Sequence, residues 1–159
     1  MRHPRISRAL TLLGAALLLA SIVAPWVTLY ITARSENQQY SPASILWYAL
    51  TSTPYSFNGA ASVTLSLVYI GVTLAFVVAV VALTRASWRP SKRFATAVLV
   101  ALFALVPYFV GTSLLGLTGP IILEMTDSRA IGSQAVGVGM ACVILGGLCA
   151  IIGLTDMAR

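Results

Sequence analysis

Few residues in this 159-residue chain have side chains suited to chemistry, and their spacing gives most of them plainer work. His3 is the only histidine and sits in the basic amino terminus. One imidazole without a cysteine or carboxylate cluster builds neither a zinc site nor a haem pair, so His3 reads as a solvated tail residue. Glu124 and Asp127 are near enough in sequence to form a carboxylate pair or hold a cation. With Arg129 beside them as counter-charge, they read instead as part of a solvated loop. Cys142 and Cys149 share one apolar run. On a helix their spacing is about 10 Å of rise, too far for a disulfide, so cysteine usage does not identify a redox compartment. There is no phosphate loop, no dinucleotide fingerprint and no nucleophile motif with a histidine partner. These residues argue against an enzyme and imply neither cofactor nor metal.

The elements that position these residues are apolar. Hydrophobic residues make up 58% of the chain and charged residues 9%, against roughly 25% charged in a soluble domain. So apolar a surface needs a bilayer as its solvent. The net charge of +6 does not point to nucleic acid, because the basic residues flank apolar runs and form no stripe on a soluble fold.

Four runs are long enough to span a membrane, over about 9–31, 63–83, 94–117 and 135–154. The predicted fold is an all-α bundle of four transmembrane helices. The first run has two readings. Its basic flank and the small residues Ala20 and Ala24 fit a cleaved signal peptide; its length, continuing through Pro25, Trp26 and Ile31, favours a retained span. The second run is rich in valine, but no polar residues alternate with them, so a membrane helix is expected. In the third, Pro107 removes a backbone hydrogen bond and bends the helix; a hinge and a static bend are both open readings.

Residues 85–93 form a basic internal loop, with Trp88 as an interface anchor and Pro90 as a helix break. Residues 32–61 and 118–134 form the external loops. Within the first, Ser35–Gln39 reads as a turn or loop, and Ser41-Pro42 caps a short interfacial helix bearing Ile45, Leu46, Trp47 and Leu50. Small strands are the alternative there. Trp47 and Tyr48 suit the headgroup zone. Gly119-Pro120 is expected to open the second loop.

Arg2, Arg5, Arg8, Arg85, Arg89, Lys92, Arg93 and Arg159 fall on one side of this arrangement, and only Arg34 and Arg129 on the other. The bias places both termini in the cytoplasm of a plasma-membrane protein. No charged residue lies within a span, which argues against an ion pump or proton-coupled transporter.

Lipid tails are as apolar as leucine, so these helices must associate through close packing at small residues. In the last run, Ala135, Gly139, Cys142, Gly146, Ala150 and Gly153 recur at spacings of three and four. The first run offers Ala16, Ala20 and Ala24. Pairing these faces predicts an internal seam between the first and last helices; docking onto another membrane protein is the alternative use. Cys142 reads as a small packing residue.

Pro25-Trp26 at the end of the first run, followed by Ile45-Leu46-Trp47 in the same loop, resembles the claudin and peripheral-myelin-protein tetraspan group. Here Ile45 stands where that group has the glycine of a Gly-Leu-Trp triplet, and the group's pair of loop cysteines is missing. The resemblance implies lateral self-association or contact with neighbouring membrane proteins through the first loop. The expected role is non-catalytic: an accessory or structural subunit docking on other membrane proteins. The alternatives are a self-assembling scaffold and a small channel or lipid-handling protein with a cavity near Pro107, Tyr108, Thr112 and Ser113. Expected partners are other subunits, copies of the same chain, and lipids.

Overall fold

The computed structural model describes residues 4–31, 36–51, 60–88, 91–127 and 131–158. The elements in chain order are α1 (Pro4–Val23), β1 (Val27–Ile31), β2 (Glu36–Tyr40), α2 (Pro42–Thr51), α3 (Ala60–Trp88), α4 (Lys92–Asp127), β3 (Ile131–Val136) and α5 (Val138–Ala158). Four of these helices, α1, α3, α4 and α5, are long and apolar enough to cross a membrane. They pack in a ring in which α1 touches α3 and α5, and α4 closes the circle between α3 and α5. Large apolar side chains such as Leu74, Val78, Phe103, Ile144 and Leu148 face outward. On a bundle in lipid, that is the expected surface.

The spans differ from the sequence expectation at the ends nearest the sheet. The first run does not stay helical to Ile31: α1 stops at Val23, and Val27–Ile31 is a strand. Pro25 carries no N–H and pushes the residue before it out of the helical region. The β-branched residues beyond it then pair. In the second loop, the expected break at Gly119-Pro120 does not occur, and α4 continues to Asp127. Its 36 residues span about 54 Å, well beyond a hydrocarbon core of about 30 Å. Ala135 lies in β3, and α5 begins only at Val138. At the basic end, Arg85 and Trp88 are still helical, so the 85–93 connection is shorter than expected. Pro90 and Arg129 lie outside the described residues, as do residues 52–59.

The strands form one antiparallel sheet in the order β2-β1-β3. Val27 pairs with Tyr40 on one side and Val136 on the other. The expected turn at Ser35–Gln39 is therefore largely strand. Its polar side chains carry little strand propensity, and pairing with β1 supplies what propensity does not. The interfacial helix forms as expected: Ser41 caps it with Pro42 in first position. Ser44 N donates to Ser41 Oγ at 3.2 Å, and Ser41 N donates to Ser44 Oγ at 3.0 Å, a reciprocal capping box.

The seam between the first and last membrane helices is also present, and the fourth-run stripe lines it: Gly139, Gly146, Ala150 and Gly153 are buried. A Cβ on Gly14 would lie 2.6 Å from Ala150 N, and one on Gly146 would lie 3.0 Å from Leu18 N, so the two backbones nearly touch. The facing surface of α1 is not the expected alanines. It is Ser7, Thr11, Gly14, Leu18 and Ser21, all buried, while Ala16 is exposed and Ala20 half-buried; Ala24, just past the helix end, does meet the stripe, since a Cβ on Gly139 would lie 2.6 Å from its carbonyl oxygen. At about 100° per residue, Ala16 lies on the side of α1 opposite Ser7. Thr11 and Ser21 serve as small residues because their hydroxyls donate to the carbonyls of Ser7 and Leu18 in their own helix.

Overpacking this seam should be costly, and filling a lipid-facing gap should not. Gly146→Leu is expected to lower stability by about 1–3 kcal/mol. Gly71→Leu, where an added Cβ meets nothing within 4 Å, should change it by less than about 0.5 kcal/mol. Reversible unfolding in mixed micelles measures both.

Candidate functional site

The sheet end of the bundle is assembled around Trp26. Its side chain is fully buried. Its Nε1 donates to the carbonyl of Ser21 at 2.7 Å, and its backbone is used on both sides: Trp26 N donates to Tyr40 O at 2.8 Å, and Gly137 N donates to Trp26 O at 2.7 Å. The indole stands edge-on to Phe109, with ring centroids 5.7 Å apart at 87°. Phe109 in turn stacks on Phe76 at 4.1 Å and 6°. One ladder of rings thus runs from the sheet into α4 and α3. Gly139 lies against the indole, and a Cβ there would collide with the Trp26 ring.

Tyr69 makes the second connection at this end. It is buried on α3, and its hydroxyl donates to the carbonyl of Pro42 at 2.9 Å, which ties α2 to the bundle. Ser113 is buried close to Tyr69, with its Oγ outside hydrogen-bonding geometry. At the basic end, Arg8 Nε donates to the carbonyl of Ser87 at 2.9 Å, and the guanidinium lies 5.8 Å from the Trp88 ring centroid. A cation on the last turn of α3 meets the carbonyls that this helix end leaves unpaired.

The sequence-derived interaction residues divide between inside and outside. Trp26, Gly139, Gly146 and Ala150 are buried within the chain and offer no free surface. Cys142 and Cys149 are free, half-buried thiols. On α2, Ile45 is buried and Leu46 half-buried, whereas Trp47 is 66% and Leu50 60% exposed. The Tyr48 side chain lies outside the described residues. Among the described side chains of α2, Trp47 and Leu50 are thus the large apolar ones that face away from the protein. Glu124 and Asp127 are one helical turn apart on α4; their side chains, like His3, lie outside the described residues. Among the described residues, no three His, Cys, Asp or Glu side chains converge as a metal site.

Sequence reasoning missed Tyr69, Phe76 and Phe109. Their only available signal was spacing: Tyr69 and Phe76 are seven residues apart on one face of α3, the period of a buried seam. Pro107 lies within the continuous helix α4, exposed between two apolar clefts. One, of about 160 Å³, is bounded by Leu18, Leu102, Phe103, Val106, Gly147, Ala150 and Ile151 together with Pro107. The other, of about 290 Å³, runs along Tyr108, Gly111, Thr112 and Leu115. The expected cavity near Pro107 is thus apolar, and Thr112 Oγ1 is bonded to the carbonyl of Tyr108 at 2.7 Å.

Compared with family models, curated proteins and solved structures, the chain matches none of them.

The Trp26 junction yields a graded expectation. Trp26→Phe keeps a ring but leaves the Ser21 carbonyl without its donor, and should cost about 1–3 kcal/mol. Trp26→Ala also removes the ring contact with Phe109 and should cost about 3–5 kcal/mol. Chemical denaturation in micelles, followed by far-ultraviolet circular dichroism, reads both.

Proposed function

We propose that this integral membrane protein is a non-catalytic accessory or structural subunit that docks on a larger membrane complex through the outward face of α2. The observation that carries this reading is the exposure of Trp47 and Leu50 (66% and 60%) on a helix held rigidly by its own capping box and by the Tyr69–Pro42 hydrogen bond. A large aromatic side chain presented on a fixed element loses little freedom on binding, which makes it a good anchor. The small-residue stripe of α5 is occupied by α1, so it is not the docking face. Eight of the ten basic residues belong to one end by sequence; with the positive-inside bias, that end is cytoplasmic in a plasma membrane and α2 lies outside.

A second reading, a self-assembling scaffold of claudin-like outline, is favoured by a separate observation. The sheet ends on β2, whose far side has no neighbouring strand among the described residues. An edge strand is a natural template for pairing with a second copy. Its polar sequence, Glu36–Tyr40, tempers that tendency.

Gentle extraction of a tagged copy from its native membrane, followed by mass and composition analysis, tests both. Stoichiometric foreign subunits that disappear with the double variant Trp47→Ser/Leu50→Ser, while thermal stability is unchanged, are the expected result. A homogeneous homo-oligomer would transfer the case to the scaffold, and a persistent free monomer would refute the docking role.

A further inference from the structure

At the basic end, where α1 meets α3, three guanidinium groups line one junction, and neither helix contains an acidic residue. Arg8 is its centre. Its Nε donates to the carbonyl of Ser87 at 2.9 Å, and its guanidinium carbon lies 5.8 Å from the Trp88 ring centroid. Carbonyl and ring together fix the plane of the group, while its two terminal amino groups have no partner among the described residues. Arg5 is one turn from Arg8 on α1, and Arg85 one turn from Trp88 on α3; residues three apart are neighbours on a helix surface. At about 100° per residue, Arg5 lies about 60° from Arg8, on the side away from buried Ser7. Arg85 lies about 60° from Trp88, away from buried Ser87, in the same way. Arg5, Arg8, Trp88 and Arg85 are all exposed, and Arg5 and Arg85 have no partner among the described residues. Asp156, the acidic residue near the end of α5, belongs to the other neighbour of α1.

We propose that this α1–α3 junction binds the headgroup of one anionic phospholipid, its phosphate held by the terminal amino groups of Arg8 and flanked by Arg5 and Arg85. A guanidinium presents its donors in a rigid fork that matches two phosphate oxygens, and the Ser87 carbonyl and the Trp88 ring have already oriented this one. Charge complementarity selects the lipid class. Three neighbouring cations repel one another until an anion joins them, and with no carboxylate from either helix they favour a net negative headgroup over one that also carries a choline cation. Basic pockets between membrane helices recruit anionic headgroups in this way. The level is also that of a lipid phosphate, because arginine and tryptophan at the end of a span sit at the headgroup layer. The exposed Trp88 ring adds an apolar surface for the glycerol and upper acyl region, which free phosphate would not use.

Native mass spectrometry of the purified chain in micelles, titrated with phosphatidylglycerol or with phosphatidylcholine, tests the proposal. One tightly held phosphatidylglycerol, with phosphatidylcholine bound far more weakly, is expected. Arg5→Gln with Arg85→Gln removes two exposed charges that hold nothing else and should weaken it about 30-fold. Lys92→Gln with Arg93→Gln removes the same charge at the same end, on α4 and off this junction, and should leave the affinity nearly unchanged. Arg8→Lys keeps the charge but not the fork, and should cost about tenfold. If Arg8→Lys lowers thermal stability, the comparison of the two charge pairs decides alone. Equal weakening by both pairs would reduce the effect to general surface attraction and overturn the site. So would equal binding of the two lipids, displacement by millimolar inorganic phosphate, an unchanged affinity in a stably folded Arg8→Lys chain, or a second protein chain found covering these arginines.

Discussion

The constraint behind this structure is that backbone groups leaving the membrane must find partners at once. Pro25 ends α1 where the chain emerges, and the residues after it have no helix to continue. They are met by the chain returning toward α5. Gly137 and Gly139 donate to the carbonyls of Trp26 and Pro25, at 2.7 and 2.9 Å. The two neighbouring elements then diverge in type without separating: α1 lies along α5 in the membrane, and β1 lies along β3 outside it. The close seam below and the strand pairing above form one antiparallel junction. Trp26 locks it, because its ring fills the bundle end while its main chain belongs to the sheet.

The interior polarity follows the same constraint. Buried hydroxyls at Thr11, Ser21 and Thr73 are spent on carbonyls of their own helices. That lets them act as small, smooth packing residues. A bundle held by contacts between small residues and backbone needs no charged interior, and its apolar perimeter is left to lipid or to partners. The features not absorbed by the fold are at its periphery: Trp47 and Leu50 at the sheet end, and the exposed side of α4.

Much of this arrangement was readable from residues, and the exceptions have physical causes. Four spans, the capped helix at Ser41-Pro42 and the packed stripe on α5 follow from apolar length, local turn chemistry and small-residue spacing. The end of α1 was misplaced because apolarity alone does not separate a helix from a strand that continues it; Pro25 was the available signal. The strand at Glu36–Tyr40 was hidden because its pairing comes from β1, not from its own polar residues. Gly119-Pro120 misled in the other direction, since a helix extending beyond the bilayer keeps its other hydrogen bonds around one proline. The role of Trp26 was half legible. Its position at the end of the first apolar run was clear, but its burial depends on Phe109, from a distant helix, which no local pattern announces. Likewise, the alanines of α1 looked like the seam because composition was counted without regard to which side of the helix Gly14 and Gly146 bring together.

The sheet order is the most direct test of the junction. Cysteine pairs are placed at Thr28 and Ala135, and separately at Gln39 and Ala135, in a chain whose Cys142 and Cys149 are replaced by alanine. Both pairs are oxidised in the native membrane. Thr28 is the register partner of both Gln39 and Ala135, so the latter two are about two strand spacings, roughly 9.6 Å, apart, beyond disulfide reach. The account predicts an intramolecular crosslink for Thr28 with Ala135 and none for Gln39 with Ala135. The reverse pattern, or no crosslink at Thr28 with Ala135, would contradict the continuous α1–β1 and β3–α5 junction on which the rest depends.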